Sequence, residues 1–313
     1  IKYEILAKNK GAVFALKRCY DLSSNDYIAI MNSDDVWELD KLEKQVGVFN
    51  KNKDVDIVFG LPSFIDEKSN KLDSSLREFS DSTQFKTKEQ FMNYFFLKGN
   101  FICHPTILIK RKCYEQQGFY NRTLRSIPDF EMWVRLFWHY NVYIIHEAVM
   151  KFRRHSFNES KANISNIIRA NYEYKVVLKS FLNQIKNVSD LKKIFPECAD
   201  LFKVNKDILI PFYIAMLAMR RNEKFSKDFA LNLLYEELGK EEVLELVEEN
   251  NLYSLTSLSQ DVIALNLYNL NPKKEKIIMK IPFVFSLLKE KTIESRYIVL
   301  KVFNFKIYQF KYK

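Results

Sequence analysis

Cysteine is scarce in this sequence, and it contains no long apolar run. The four cysteines, Cys19, Cys103, Cys113 and Cys198, are scattered, with no CxxC pair and no histidine at ligand spacing. Neither a disulfide framework nor a zinc site is indicated, and a reducing, cytoplasmic setting is the expectation. The longest apolar run, Ile208 to Met219, is too short to span a bilayer and contains Pro211. No signal-peptide pattern is visible, and no repeat period indicates a solenoid. The net positive charge is concentrated near the C-terminus and leaves the rest of the chain nearly neutral, which argues against a basic nucleic-acid groove. The formal net charge is +10, but eleven Lys or Arg against three Glu between Pro272 and Lys313 account for +8 of it. A tail of that kind suits peripheral contact with an anionic membrane, on the inner face of the cell membrane, with packing against the helices before it as the alternative. The 313 residues are 47% hydrophobic, a globular composition with room for one large domain or two ordinary ones.

The chemistry concentrates where apolar runs stop. Tyr27 to Met31 is short, wholly apolar and bounded by polar residues, which predicts a strand buried on both faces of a parallel sheet. It ends in Asn32-Ser33-Asp34-Asp35, and ligands of open α/β sheets sit beyond the carboxyl ends of strands. Adjacent carboxylates there suit Mg2+ or Mn2+, which take oxygen ligands and complete their shells with water and phosphates. An Asp-rich turn and helix cap is the plainer reading of the same residues. A second centre is Ser126-Ile127-Pro128-Asp129, a helix start with a cap residue, an early proline and acids in the first turn. Asp129 there is a candidate general base, or, with Glu131, simply an acid serving the helix end. Arg153, Arg154 and His155 follow an apolar stretch and could pair with an anionic group, with solvated surface arginines as the alternative. His104, beside Pro105, is either a hydrogen-bonded structural histidine or a contact to acceptor or phosphate.

Several of these segments occur in a familiar order. Asn9-Lys10-Gly11, Ala15-Leu16-Lys17, Asn32-Ser33-Asp34-Asp35 with Trp37 and Lys41-Leu42-Glu43-Lys44-Gln45, His104-Pro105-Thr106, Gly118-Phe119-Tyr120, Pro128 to Leu136 and Phe152-Arg153-Arg154-His155 all follow one another at characteristic spacing, and Ser156 to Ser160 continues the series. Together they resemble the family 2 glycosyltransferases, inverting enzymes of the GT-A fold, over about half of the chain. The resemblance implies metal binding by Asp35 with Asp34, and a catalytic base at Asp129. It also implies donor contacts from Asn9, Gly11, Lys17, Asp34, Arg153, Arg154 and His155. The implied partners are a nucleotide-diphospho-sugar donor and a glycan or lipid-linked acceptor, in cell-surface polysaccharide synthesis. The sequence departs from the pattern at Asn32, at Leu16-Lys17, and at Pro128, where the family commonly has Glu. The P-x-Y-N and D-D-x-S motifs expected upstream are missing, so an N-terminally truncated catalytic domain is expected. A catalytically inactive glycan-binding or membrane-binding relative is the competing reading.

Taken in order, the chain predicts a strand at Tyr3 to Leu6, a helix from Ala12 to Leu22 and a helix from about Glu38. Leu39, Leu42, Val46 and Phe49 form one face of that second helix, expected to cover the sheet. A strand at Val55 to Phe59 closed by Gly60 and Pro62, a loop or hairpin to Ser82, and a helix at Lys88 to Leu97 follow. Phe101 to Ile109 is expected as a strand kinked at Pro105, then a helix to Gln117 ending at Gly118. The expected architecture is an α/β GT-A mixed sheet flanked by helices over residues 1–162. A helical accessory domain over 163–271 and a basic tail over 272–313, with a hairpin at its end, complete it.

Overall fold

A computed structural model describes residues 3–72, 85, 87–155 and 163–266, and the backbone of 297–302 and 305–311. The Ser156–Ser160 segment, the polar stretch after Leu72 and the basic tail before Tyr297 lie outside the described residues. Helix α1 (Ala12–Leu22) leads to strand β1 (Tyr27–Ala29), the acidic turn and strand β2 (Val36–Trp37). Helix α2 (Lys41–Lys51), strand β3 (Val55–Ile65), helix α3 (Lys88–Leu97), strand β4 (Leu108–Lys110) and helix α4 (Arg111–Gln117) follow. Helix α5 (Pro128–His139) and strand β5 (Asn141–Arg153) close the sheet layer. The strands form one mixed sheet in the order β1-β4-β3-β5-β2, with β3 and β5 parallel and the other neighbours antiparallel.

The N-terminal stretch differs from expectation. Tyr3 to Leu6 has no regular structure; Tyr3 and Ile5 are exposed, and the Glu4 carboxylate binds the Arg18 guanidinium of α1 at 2.8 Å. Nor is β1 buried on both faces of a parallel sheet. It is three residues long and antiparallel to β4, and among the described residues it has a strand on one side only. Tyr27, at its start, and Met31, two residues past its end, are exposed.

Helix α2 turns a different face to the sheet from the one its apolar spacing predicts. Leu39, Leu42 and Val46 are exposed, while Lys41, Gln45 and Phe49 are buried. The reason is hydrogen bonding. Lys41 Nζ donates to Thr106 O at 2.9 Å and to Gln45 Oε1 at 2.6 Å, and Gln45 Nε2 donates to Thr106 O and Val58 O at 2.7 and 3.1 Å. Buried carbonyls must find donors, and here two polar side chains displace three apolar ones to supply them.

Gly60 and Pro62 do not end β3; they sit at its register shifts, and the strand runs on to Ile65. A Cβ on Gly60 would lie 2.5 Å from a methyl of Val149 on β5, so only glycine fits there. The expected long strand at Phe101 to Ile109 is instead a single 3-10 turn, His104–Thr106, followed by β4, because Pro105 is better placed in a turn than in an internal strand.

Beyond residue 162 the helices appear where periodicity places them, cut where proline intervenes. They are α6 (Ile164–Gln184), α7 (Val188–Ile194), α8 (Ile210–Met219), α9 (Lys224–Leu238), α10 (Glu241–Glu249) and α11 (Leu255–Leu265). Pro196 diverts the chain into a 3-10 turn, and Pro211 falls in the first turn of α8, where a missing N–H is tolerated. One hydrophobic core runs from Val13 through the sheet layer and α5 to Leu265. It is rich in edge-on aromatic pairs such as Phe59–Trp133 at 5.0 Å and Phe96–Phe181 at 5.1 Å. Residues 1–267 make one compact unit and residues 268–313 another, and the latter contains the antiparallel pair β6 (Tyr297–Val302) and β7 (Phe305–Lys311). Among the described residues no helix is long and apolar enough to cross a membrane.

Candidate active site

The acidic turn is brought against the end of β5 by the pairing of β2, in which Val36 faces Lys151 and Trp37 faces Met150. Asp35 is only 5% exposed. Its Oδ1 accepts from the Arg153 backbone N–H at 2.9 Å and its Oδ2 from Asn32 Nδ2 at 2.9 Å. Burial pushes the Asp35 carboxyl above the ordinary carboxylate range, and these two hydrogen bonds pull against that shift. Asn32, where the related pattern often has Asp, thus serves as a donor to its neighbour.

Asp34 is more open, and its Oδ2 lies 3.0 Å from His155 Nε2. Arg153 is tied to the polypeptide: Nε donates to Asp34 O and Nη1 to Asp66 O, both at 2.8 Å, with Ser69 Oγ at 2.9 Å. It therefore joins the acidic turn to the 66–69 turn after β3. The Arg154 guanidinium stacks 4.0 Å from the centroid of Phe64. Among the described residues no three His, Cys, Asp or Glu side chains converge on one point as a ready metal site.

Asp129, in the first turn of α5, stands beside the turn at residues 103–106. The buried thiol of Cys103 is pushed up chiefly by burial and then by the carboxylates of Asp35 and Asp129, so this one residue lies within electrostatic reach of both acids. Asn100 Nδ2 donates to Asp129 Oδ2 at 3.0 Å. Buried His104, whose pKa burial lowers, bonds through Nε2 to Tyr120 Oη at 2.5 Å, so it is a satisfied structural histidine beside the site. Glu131 pairs with Arg135 at 2.8 Å and accepts from Ser180, and so belongs to the helix packing.

The start of α5 is not capped by Ser126 as its sequence suggests. Ile127 occupies the cap position, and the Ser126 hydroxyl is buried without a protein partner. The cap comes from α6, where the buried Glu173 carboxylate accepts the N–H groups of Arg125, Ser126 and Ile127 at 2.8, 2.8 and 3.0 Å. An anion at a helix N-terminus is favoured by the unsatisfied N–H groups and the dipole. The helical region thereby holds the segment that carries Asp129. Nothing in the local sequence of α5 announces a partner 46 to 48 residues away.

Asn9, Gly11 and Lys17 lie elsewhere, before and on α1. Asn9 Oδ1 accepts from Gly11 N at 2.8 Å, Gly11 has φ 88° at the start of α1, and Lys17 pairs with Asp21. None of the three is hydrogen-bonded to Asp34, Asp35 or Asp129. Between α1 and β1 lies an open cleft of about 300 Å3, lined by Leu16, Tyr20, Tyr27, Ile30 and Phe119 and ending at Met31 beside the acidic turn.

The family model described as Glycosyl transferase family 2 matches residues 1–118. That match covers the N-terminal 118 of the chain's 313 residues. The mixed, helix-flanked sheet agrees with the GT-A arrangement that the sequence resemblance implies. An uncharacterized glycosyltransferase of Methanocaldococcus jannaschii is 30% identical over 147 residues, 47% of this chain and 48% of that protein. Another, of Rickettsia conorii, is 28% identical over 187 residues, 59% of this chain and 30% of that one. The chain thus spans about half or less of the length of these relatives. Among solved structures, S. aureus TarS 1-349 in complex with UDP-GlcNAc is 12% identical, with a TM-score of 0.47, over 83% of this chain and 71% of that 1-349 chain.

Proposed function

We propose that this family 2 chain is a glycosyltransferase that moves a sugar from a nucleotide-diphosphate donor to a hydroxyl of a glycan or lipid-linked acceptor, with inversion, in cell-surface polysaccharide synthesis. What supports the reading is that Asp35 on the acidic turn and Asp129, 94 residues later, both act on the buried Cys103 thiol, which packs with Val149 and Met150 of β5. Asp129 accepts the proton of the acceptor hydroxyl as its oxygen attacks the anomeric carbon. The bond from that carbon to the diphosphate breaks on the opposite face. Asp35 and Arg153 hold the acidic turn in place, and the cleft beside β1 offers an apolar wall for the nucleoside.

Asp34 and His155 are the residues that would hold a divalent cation. A part-exposed carboxylate oxygen and an imidazole nitrogen 3.0 Å apart are an oxygen and nitrogen donor pair that suits Mn2+, whereas Mg2+ favours oxygen throughout. Asp35, buried with both oxygens engaged, is the supporting member. Such an ion, when bound, supplies positive charge for the leaving diphosphate.

The test is turnover of a panel of nucleotide sugars with and without Mn2+. Asp129→Asn, nearly isosteric, is expected to keep donor binding and to lower kcat by roughly 10² to 10⁴, the usual worth of a general base. Asp34→Asn is expected to remove the response to Mn2+. Turnover by Asp129→Asn close to that of the parent chain would overturn the reading.

A further inference from the structure

Asn100 lies at the end of the connection from α3 to the 103–106 turn, and its surroundings fix it unusually well. Its Oδ1 accepts from the Ile102 backbone N–H at 2.9 Å. An oxygen is therefore required on that side, and the amide nitrogen must face Asp129, whose Oδ2 it meets at 3.0 Å. The residue before it is Gly99, with φ 104°, a left-handed value that favours glycine, and a Cβ there would run into the hydroxyl of Tyr174 on α6. The turn thus presses against the helical region, while the residue next to Tyr174, Glu173, grips the loop leading into Asp129. Asp129 forms no other hydrogen bond among the described residues, so one carboxylate oxygen is held and the other is open.

The ionisable groups that face Asp129 are Cys103, His104 and Tyr120. Burial favours the neutral form of all three near neutral pH. Glu131, on the same helix, is neutralised by Arg135, and Glu173 is engaged by the backbone N–H groups of the preceding loop. The amide of Asn100 is then the one donor placed directly on the carboxylate among the described residues.

We propose that Asn100 is the positioning residue for Asp129: its carboxamide holds Oδ2 and leaves Oδ1 turned toward the acceptor hydroxyl. The proposal rests on Asp129 being the base. A hydrogen bond donated to a carboxylate favours its charged form, and a like charge in the same place opposes it. Asn100→Asp is the clean variant, because it keeps the acceptor for Ile102 N–H, removes the donor and sets a second carboxylate beside the first. Asn100→Ala removes the donor without adding charge.

The readout is the titration of the Asp129 side-chain carboxyl, followed by NMR in the intact chain labelled with 13C at aspartate and assigned by the signal lost in Asp129→Asn. In Asn100→Asp the midpoint should rise by a pH unit or more, a tenfold gain in proton affinity, with a smaller rise in Asn100→Ala. The acid limb of kcat against pH should move with it while KM for the donor stays put. An unmoved Asp129 midpoint in whichever folded variant is obtained overturns the proposal, whatever happens to turnover. Undiminished turnover in Asp129→Asn, by contrast, overturns the base assignment and leaves the titration result standing.

Discussion

At the residue scale, the most unusual group lies apart from the acidic turn and Asp129. Lys41 is 1% exposed and meets only the carbonyl of Thr106, the amide oxygen of Gln45 and the face of Trp37, 5.1 Å away, with no carboxylate. Burial lowers its pKa from 10.5 to about 7. Below pH 7 the ammonium is carried in both folded and unfolded chains, and folding bears the full desolvation penalty. Between about 7 and 10.5 the unfolded chain holds the proton and the folded one has released it, so stability must rise with pH across that window. Urea unfolding at pH 7 and pH 9 should show a gain on the order of 1 to 3 kcal/mol at the higher pH. Lys41→Met should lose that slope. A parent chain whose stability is flat or falling over the window would mean that Lys41 stays charged in place.

At the scale of elements, the contact between β3 and β5 positions everything that follows them. These strands pair in parallel from Val55–Asn141 to Ile65–Arg153, with shifts around Gly60 and Pro62. Without the close approach at Gly60 the two strands could not keep step, and Arg153 would not arrive beneath Asp35. Gly60→Ala puts a Cβ 2.5 Å from the buried Val149 side chain, an overpacking that costs about 1 to 3 kcal/mol. Val149→Ala alone leaves a cavity and is also destabilising. The double variant should be more stable than the two single losses predict, which a double-mutant cycle by denaturant melts would read as positive coupling. Additive losses would show that the strain at Gly60 is relieved elsewhere.

For the whole molecule, the charge falls in the second of the two units. The segment from Pro272 holds +8 of the net +10, and the backbone at its end folds as an antiparallel pair. Basic residues near an anionic surface contribute about 1 kcal/mol each and fade within a Debye length. If half of the net charge faces a bilayer, about 4 kcal/mol gives a reversible, salt-sensitive attachment. Co-sedimentation with vesicles containing phosphatidylserine should fall sharply when the chain is cut before Pro272 or the salt is raised. Equal binding by both chains, or indifference to salt and lipid charge, would assign the tail to packing instead.

Short-range chemistry was enough to locate most elements and the chemical centres. Helix α1, the proline that opens α5 and the acidic turn all announce themselves within a few residues. Periodicity alone could not choose the buried face of α2. The choice depended on the carbonyls of Thr106 and Val58, which reach the helix only after the chain has folded. The same limit separates the two halves of the site. Asp34, Asp35 and Asp129 were legible as acids at element ends, whereas Glu173 as the cap of α5, Asn100 as the partner of Asp129 and Arg153 as a tie between turns were not. Each of those roles consists of a hydrogen bond to a group 29 to 119 residues away, and only the packing of sheet on helix brings donor and acceptor within 3 Å.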